Sequence, residues 1–262
     1  MKIATWNING IKARIDNLLV WLEESKPDIV CLQEIKSEDA AFPRESIEAL
    51  GYHVETHGQK GFNGVALLSK LPFDEVNRGL PGDDDDLQSR FIEGVFSTGS
   101  GVIRVVSLYL PNGNPVDSEK FPYKLSWMER LEKWTIDRLE LEEPLVLAGD
   151  YNVIPQPADA RNPQNWVGDA LFMPESRQAF RRLENLGLLD AIRAVTDAGL
   201  TYTFWDYQAG AWPKNNGIRI DHLMLSPEAA NRLKSANIEK HVRAWEKPSD
   251  HVPAVVRLDM AA

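Results

Sequence analysis

The sequence predicts one α/β domain in which two packed β-sheets are flanked by helices. Short apolar runs bounded by turn residues recur along the 262 residues and indicate strands. Several of these runs follow one another with no helix between them, within residues 52–69 and 90–109, which indicates antiparallel pairs. Amphipathic helices connect the other runs, and helices packed outside two sheets bury all of the apolar faces.

The strands are predicted from runs rich in Val, Ile, Leu and aromatic residues. In chain order they are Lys2–Asn7, Asp28–Glu34, Tyr52–Thr56, Gly64–Ser69, Arg90–Phe96, Val102–Tyr109, Leu145–Asp150, Tyr202–Trp205, Asp221–Ser226 and Val252–Leu258. No low-complexity linker or repeat divides them. We therefore expect a single domain over residues 1–262.

The helices are predicted from apolar residues at helical spacing. In chain order they are Ile15–Glu24, Ser118–Leu141, Glu175–Leu186 and Pro227–Leu233. In the second helix, Leu125, Met128, Leu131 and Trp134 form the stripe expected to face the core. Ser226 before Pro227 is the pattern of a helix cap followed by a proline in the first turn.

The composition limits the possible classes of protein. The net charge is −10 and the pI about 5.1, which argues against indiscriminate binding of nucleic acid, although bound cations can offset clustered carboxylates. No apolar run is long enough to span a membrane. The single cysteine, Cys31, cannot form an internal disulfide and predicts a reducing cytoplasm. The run Asp83–Asp86 is expected to be an exposed loop.

Polar residues follow or begin many of the apolar strands. Asp150 and Asn152 are two residues apart, so on an extended chain both side chains reach the same face. Asp250 and His251 are adjacent and precede the last strand, where they would enter a site from two directions. The remaining polar residues at strand ends are Asn7, Asn9, Gln33, Glu34, Tyr109, Asn112 and Asp221. We expect these ends to form one rim that carries the function.

These residue types suit the hydrolysis of a phosphodiester. Carboxylate, amide and imidazole groups are what a hard divalent cation and a phosphoryl group require. Glu34 and Asn7 can serve a cation, while Asp150 can take a proton from water oriented by Asn152. His251 can donate to the phosphate if Asp221 keeps it protonated, because a nearby negative charge raises the pKa of a histidine. The Tyr109 hydroxyl can also donate to a phosphate oxygen.

Seven short motifs, in order, resemble the exonuclease III family of apurinic/apyrimidinic endonucleases, part of the endonuclease/exonuclease/phosphatase superfamily. They are Trp6-Asn7-Ile8-Asn9-Gly10, Leu32-Gln33-Glu34, Asn63-Gly64-Val65-Ala66, Tyr109-Leu110-Pro111-Asn112, Gly149-Asp150-Tyr151-Asn152, Arg219-Ile220-Asp221 and Ser249-Asp250-His251. The Asp-x-Asn and Ser-Asp-His elements specify only the superfamily. The segments Tyr202-Thr203-Phe204-Trp205 and Asn216–Asp221 narrow the resemblance to the abasic-site branch.

The resemblance implies a four-layer α/β sandwich of two mixed sheets and incision of duplex DNA 5′ of an abasic site. It also implies a Mg²⁺ or Mn²⁺ cofactor and 3′-to-5′ exonuclease and 3′-phosphatase activity, the latter on blocked 3′ ends. We expect a monomer. The implied metal ligands are Glu34, Asn7 and Asp250, with a second position near Asp150, Asn152 and His251. His251 cannot bind a metal and donate to phosphate from one nitrogen at once.

The resemblance further implies contacts to DNA. An apolar pocket for the flipped, base-less sugar is expected from Phe204, Trp205, Ile218 and Ile220. Gln208 could insert into the duplex. Asn112 and Arg219 complete the expected DNA-binding set.

Two alternatives are considered. A non-catalytic nucleic-acid-binding regulator on the same scaffold would lack the acidic and histidine positions, all of which are present here. A phosphatase or sphingomyelinase of the superfamily would keep the Asp-His core but has no reason to keep Phe204, Trp205 and Arg219.

Overall fold

The computed structural model describes residues 1–196 and 201–260 and contains two six-stranded sheets. The first sheet has the order β11-β12-β1-β2-β4-β3. Its strands are β1 (Lys2–Asn7), β2 (Ile29–Gln33), β3 (His53–His57), β4 (Val65–Ser69), β11 (Leu233–Ile238) and β12 (Ala254–Leu258). Only β1 and β2 run parallel to each other.

The second sheet repeats this plan with the order β5-β6-β7-β8-β10-β9. Its strands are β5 (Glu75–Arg78), β6 (Phe91–Thr98), β7 (Gly101–Tyr109), β8 (Leu145–Asp150), β9 (Leu189–Asp190) and β10 (Asp221–Leu225). Here β7 and β8 are the parallel pair.

Helices α1 (Ile11–Ser25) and α2 (Arg44–Glu48) cover the outer face of the first sheet, and α3 (Lys120–Leu139) and α4 (Pro174–Asn185) cover that of the second. The short helices α5 (Ala191–Val195) and α6 (Pro227–Ala230) contribute buried residues to the layer between the sheets. As in most βαβ units, α1 and α3 connect the parallel strands of their sheets. No helix in the described ranges is both long enough and apolar enough to cross a membrane.

Three apolar layers hold the structure together. The central layer lies between the sheets and includes Cys31 and Leu67 from the first sheet and Val105 and Val146 from the second. One outer layer packs α1 against the first sheet, and the other packs α3 and α4 against the second. The predicted fold class, two packed mixed sheets with helices outside, is confirmed.

The parallel pairs bring the functional residues to one edge. Strands β1, β2, β7 and β8 all end there, and the antiparallel strand β10 begins there, with Asp221 paired to Asp150. Gly149 allows β7 and β8 to approach closely, because a Cβ atom at this position would lie 2.0 Å from the carbonyl oxygen of Leu108. The sequence Gly149-Asp150 therefore places a carboxylate directly after this close approach of the two strands.

Several predicted boundaries are wrong for identifiable reasons. Helix α6 ends at Ala230, and Leu233, predicted as helical, begins strand β11. Strands β5, β9 and β11 were not predicted. Strands β5 and β11 contain many polar residues because each forms an edge of its sheet, and β9 has only two residues. The Ser226 cap is confirmed, since its hydroxyl accepts the N–H of Ala229.

The segment Tyr202–Trp205 is not a strand. Phe204 forms only isolated bridges, one to Ile218 and one to His251, and the chain then turns away into an exposed loop at Asp206. This short bridge connects the Ser249–His251 segment to the start of β10. It therefore supports the site although it extends neither sheet.

The central layer provides a test of the packing. Leu67→Ala removes a fully buried side chain between the sheets and should lower the free energy of unfolding by about 2–5 kcal/mol in urea titrations. The matched control is Leu87→Ala, at a leucine that is 85% exposed, which should change the stability by less than about 0.5 kcal/mol. Similar losses in both variants would contradict the arrangement.

Candidate active site

A cavity of about 210 Å³ lies where the ends of the two sheets meet. Its lining comes from both sheets and from the loops that follow them. It consists of Glu34, Tyr109, Asn112, Asn114, Asp150, Asn152, Trp166, Asp169, Leu171, Phe204, Ile220, Asp250 and His251. Seven of the predicted strand-end residues line this cavity, namely Glu34, Tyr109, Asn112, Asp150, Asn152, Asp250 and His251. Gln33 does not, because its side chain is buried and donates to Ser107 Oγ at 3.0 Å.

Asn7 connects the two sheets at the bottom of this cavity. Its side-chain nitrogen donates to Glu34 Oε1 at 2.9 Å and to Asp150 Oδ2 at 2.9 Å. Its oxygen accepts the backbone N–H of Asn9 at 3.0 Å, which fixes the orientation of the amide. Asn7 is fully buried and lies where predicted, but it turns its donor, and not its oxygen, toward the carboxylates.

Glu34 follows β2 in a left-handed backbone conformation, with φ of 48°. Its Oε1 also accepts the Tyr109 hydroxyl at 2.9 Å, and its Oε2 lies 2.9 Å from the Lys36 ammonium. Burial alone would raise the pKa of Glu34, but the Asn7 hydrogen bond and Lys36 outweigh it and lower the pKa. Burial and the nearby carboxylates raise the pKa of Tyr109 well above its ordinary value, so its hydroxyl remains a donor.

Asp150 is 1% exposed, and its carboxylate accepts a hydrogen bond from the backbone two residues further along the chain. Its Oδ1 accepts the N–H of Asn152 at 2.9 Å, and Asn152 adopts a φ of 47°. The Asn152 side chain donates to Leu110 O at 2.9 Å and accepts from Asn112 Nδ2 at 3.2 Å. Asp150, Asn152 and Asn112 therefore form one connected wall. Burial raises the pKa of Asp150, although His251 opposes the shift.

His251 lies between two carboxylates. Its Nδ1 donates to Asp221 Oδ2 at 2.8 Å, and its Nε2 lies 3.8 Å from Asp150 Oδ2. Burial by itself would lower the pKa of His251, but Asp221 and Asp150 outweigh it and raise the pKa. The expectation that Asp221 keeps His251 protonated has a direct geometric basis here.

The donor set suits a hard cation. One ligand atom from each of Asp150, Asp221 and His251 lies within 4.8 Å of the others. Asp221 Oδ1 is buried and has no hydrogen-bond partner in the described part of the chain. Glu34 and Asp250 add two partly exposed carboxylates to the lining of the cavity, and Asp250 Oδ1 accepts from Asn9 Nδ2 at 2.9 Å. These oxygen donors could hold a divalent metal.

The expected DNA-binding residues do not all reach this cavity. Asn112, Phe204 and Ile220 line it. Ile218 and the exposed Gln208 line a neighbouring cavity of about 260 Å³, which shares Trp166 and Phe204 with the first. Phe204 also packs edge-on against the His251 ring, with centroids 5.0 Å apart.

The sequence predicted that Trp205 lines the sugar pocket and contacts DNA there. This prediction of direct contact is wrong. The Trp205 side chain is 0% exposed and belongs to the layer between α1 and the first sheet. Its indole N–H donates to Asn215 Oδ1 at 3.1 Å, and its ring packs edge-on against Tyr202 and Trp212. Successive side chains in this extended segment point to opposite sides, so Phe204 faces the cavity and Trp205 faces the core.

The prediction that Arg219 contacts DNA directly is also wrong. The guanidinium is 1% exposed and is paired with Asp159 at 2.7 Å and Asp190 at 2.6 Å. It also lies 3.0 Å from Nδ1 of His222, whose pKa burial and Arg219 lower to about 4. This buried network of charged side chains holds the start of β10 in place.

Sequence reasoning missed other residues at the site. Trp166, Asp169 and Leu171 line the cavity from the long segment between β8 and α4, and Asn114 lines it from the loop between β7 and α3. Neither segment has a recognisable sequence pattern. Lys124 is fully buried beneath the cavity. The sequence did contain a signal for the burial of Lys124: it lies three residues before Trp127 and four before Met128, on the apolar face of α3.

Two packed sheets carry carboxylates, amides, a tyrosine and an imidazole at their common edge, which are the groups that hydrolysis of a phosphate ester requires. The sequence matches the Endonuclease/Exonuclease/phosphatase family over residues 4–251. The chain therefore belongs to the Endonuclease/Exonuclease/phosphatase family, as its motifs predicted.

Individual relatives narrow this assignment. The chain is 38% identical to exodeoxyribonuclease III of Haemophilus influenzae, over 97% of this chain and 98% of the relative. It is similar to the structure of an AP endonuclease from Archaeoglobus fulgidus, with a TM-score of 0.93, 36% identity and 99% of each chain covered. It is also similar to the 3′ phosphatase NExo from Neisseria bound to a product DNA hairpin, with a TM-score of 0.95, 37% identity and 99% of each chain covered.

The electrostatics of the site can be tested by NMR of the metal-free protein. At about pH 8 the His251 ring should be cationic, because two carboxylates raise its pKa, while the His222 ring should be neutral. Asp221→Asn should lower the pKa of His251 and leave His222 unchanged. A neutral His251 in the unmodified protein at this pH would contradict the assignment.

Proposed function

We propose that this chain is a metal-dependent hydrolase of duplex DNA that cleaves 5′ of abasic sites and leaves a 3′-hydroxyl. The same phosphate chemistry supports 3′-to-5′ exonuclease and 3′-phosphatase activity. One observation carries the proposal: Glu34 from the first sheet and Asp150 and Tyr109 from the second converge with His251 on one cavity, and the buried Asp221 holds the His251 ring. A non-catalytic regulator would have no reason to keep this set of groups.

Asp150 is the proposed general base. Its Oδ1 is occupied by the Asn152 N–H, and Asn7 holds its Oδ2, so the carboxylate has a fixed direction at the cavity wall. Burial raises its pKa toward the range in which a carboxylate accepts a proton from water most effectively. Asn152 and Asn112 would orient that water or a phosphate oxygen.

His251 and Tyr109 are the proposed donors to the phosphate. Asp221 occupies Nδ1 of His251, which leaves the Nε2 side facing Asp150 and the cavity. A cationic imidazole there would stabilise negative charge as it develops on the phosphate oxygens. The Tyr109 hydroxyl, held by Glu34, lies on the other side of the same cavity.

Glu34 and Asp250 are the residues we propose to hold the cation, with Mg²⁺ or Mn²⁺ as the metal. Bound there, such an ion would neutralise phosphate charge and orient the scissile bond. We propose that Asn7 orients Glu34 and Asp150, because its donor faces both carboxylates. A second metal position near Asp150, Asn152 and His251 would take Nε2 of His251, which then could not donate to the phosphate.

The proposed substrate is duplex DNA with an abasic site or a blocked 3′ end. Phe204, Ile220, Leu171 and Trp166 give the cavity an apolar side next to its polar groups. This side suits a sugar without its base, which costs least to extrude from the duplex. We assign Ile218 and Gln208, in the neighbouring cavity, to contacts with the flanking nucleotides.

We further propose that residues 1–262 act as one domain and as a monomer, because a single chain supplies every group of the cavity. A reducing cytoplasm is the proposed compartment. Cys31 lies between the two sheets, and burial raises the pKa of its thiol, so it serves neither as a nucleophile nor as a disulfide partner.

A duplex oligonucleotide with one stable abasic-site analogue tests the proposal. With Mg²⁺ we expect cleavage immediately 5′ of the analogue and a 3′-hydroxyl product, and with chelator we expect none. Binding without cleavage in Mg²⁺ and in Mn²⁺ would instead support the regulator. Cleavage that resists chelator would contradict the metal dependence.

Asp150→Asn should reduce turnover by about a hundredfold or more, because it removes the base with little change in shape. The dissociation constant for the abasic duplex should change much less. Single-turnover rates and fluorescence anisotropy measure the two quantities. Asp137→Asn, at an exposed aspartate on α3, is the control. Normal turnover in Asp150→Asn would refute the assignment of the base.

Phe204 and Trp205 should differ in their effect on substrate preference. Phe204→Ala removes a wall of the cavity and should reduce abasic-site incision more than removal of a 3′-phosphate, which places no downstream sugar there. Trp205→Ala removes core packing, should cost about 3–5 kcal/mol of stability, and should leave the ratio of the two rates unchanged. A changed ratio in Trp205→Ala would argue for a role in the pocket.

A further inference from the structure

Lys124 is a fully buried lysine directly beneath the cavity. Its ammonium donates to the carbonyl of Asn112 at 3.1 Å and to the carbonyl of Asn152 at 2.5 Å. These two residues follow β7 and β8, and their side chains meet in the hydrogen bond from Asn112 Nδ2 to Asn152 Oδ1. The lysine thus connects two loops of the site from below, at the main chain.

The surroundings of Lys124 are shaped for this side chain. A Cβ atom at Gly113 would lie only 2.7 Å from Lys124 Cδ, so the glycine leaves room for the stem. On the same helix Trp127, Met128 and Leu131 pack against the second sheet. A methionine or leucine would satisfy this apolar face equally well. Burying an ammonium is costly, which indicates that its two hydrogen bonds serve the loops above.

We propose that Lys124 is a positioning residue, which ties the main chain of Asn112 to that of Asn152 and so aims both amides and Asp150 at the reacting phosphate. The connection to Asp150 is short, because the N–H of Asn152 donates to Asp150 Oδ1. Asn152 leaves the sheet with a φ of 47°, so its carbonyl cannot join a β-ladder and takes the lysine as its donor. The proposal rests on the proposed function of the same cavity.

The first experiment is Lys124→Met, which keeps an unbranched apolar stem of four atoms and removes the ammonium. We expect kcat for abasic-site incision and for 3′-phosphate removal to fall by a similar factor of about a hundred, because a small displacement of positioned groups has effects of this size. KM for the abasic duplex should stay within about threefold, since the DNA-contacting surface is retained.

Two controls separate positioning from a general loss of structure. Met128→Ala, on the same helix, removes core packing but no hydrogen bond to the loops, so its folded fraction should keep its kcat at comparable loss of melting temperature. Lys120→Met changes an exposed lysine of α3 and should have no effect. In ¹⁵N spectra of Lys124→Met without DNA, the amide signals of Asn112 and Asn152 should shift, whereas those of β1 and β2 should not.

A second pair of proteins decides the question if Lys124→Met unfolds at the assay temperature. Lys124→Cys is made in a Cys31→Ala background and alkylated in denaturant to an S-aminoethyl or an S-propyl side chain, then refolded. The two side chains have the same length, but only the first carries an ammonium. We expect the aminoethyl protein to recover kcat and the propyl protein to remain impaired.

Equal kcat values in the aminoethyl and propyl proteins would overturn the proposal. The same holds if Lys124→Met is folded and fully active, or if it alters KM alone. A chain with no nuclease activity in any form would refute the proposed function instead, and the shifts at Asn112 and Asn152 would then still show whether Lys124 holds these loops.

Discussion

The site depends on bringing carboxylates from two different sheets to one point. Glu34 belongs to the first sheet and Asp150 to the second, and like charges in a buried place repel strongly. The Asn7 amide offsets this repulsion by donating to both, and the cationic His251 offsets it from the other side. Because the two groups are joined across the sheet interface, the packing of the central layer also sets the geometry of the chemistry.

Local charges explain how a chain with a net charge of −10 can accept a phosphate. Lys36 lies beside Glu34, and His251 is held cationic by its carboxylates. The acidic run Asp83–Asp86 is mostly exposed, as predicted, but Asp86 accepts hydrogen bonds from Tyr123 and Arg130 and anchors α3. Net charge therefore says little about the field within the cavity.

Residue types and strand periodicity were enough to predict the layered fold and the rim of polar strand ends. Asp150, Asn152, Glu34 and His251 could be predicted because each stands beside an apolar strand. The polar strand β11 was missed because edge strands lack an apolar signature. Trp205 was misplaced because residue type does not reveal which side of an irregular segment faces the core. The roles of Asn7 as a donor and Lys124 as a buried link depend on long-range contacts that no local pattern encodes.

The most direct test of the account is the single-turnover cleavage rate of the double variant Glu34→Gln/Asp150→Asn, compared with each single variant. If the two carboxylates work as one unit across the sheets, the double variant should be about as slow as the slower single variant. Losses that multiply, so that the double variant is slower by the product of both factors, would show that the groups act independently. That result would contradict the central claim that one site is assembled from both sheets.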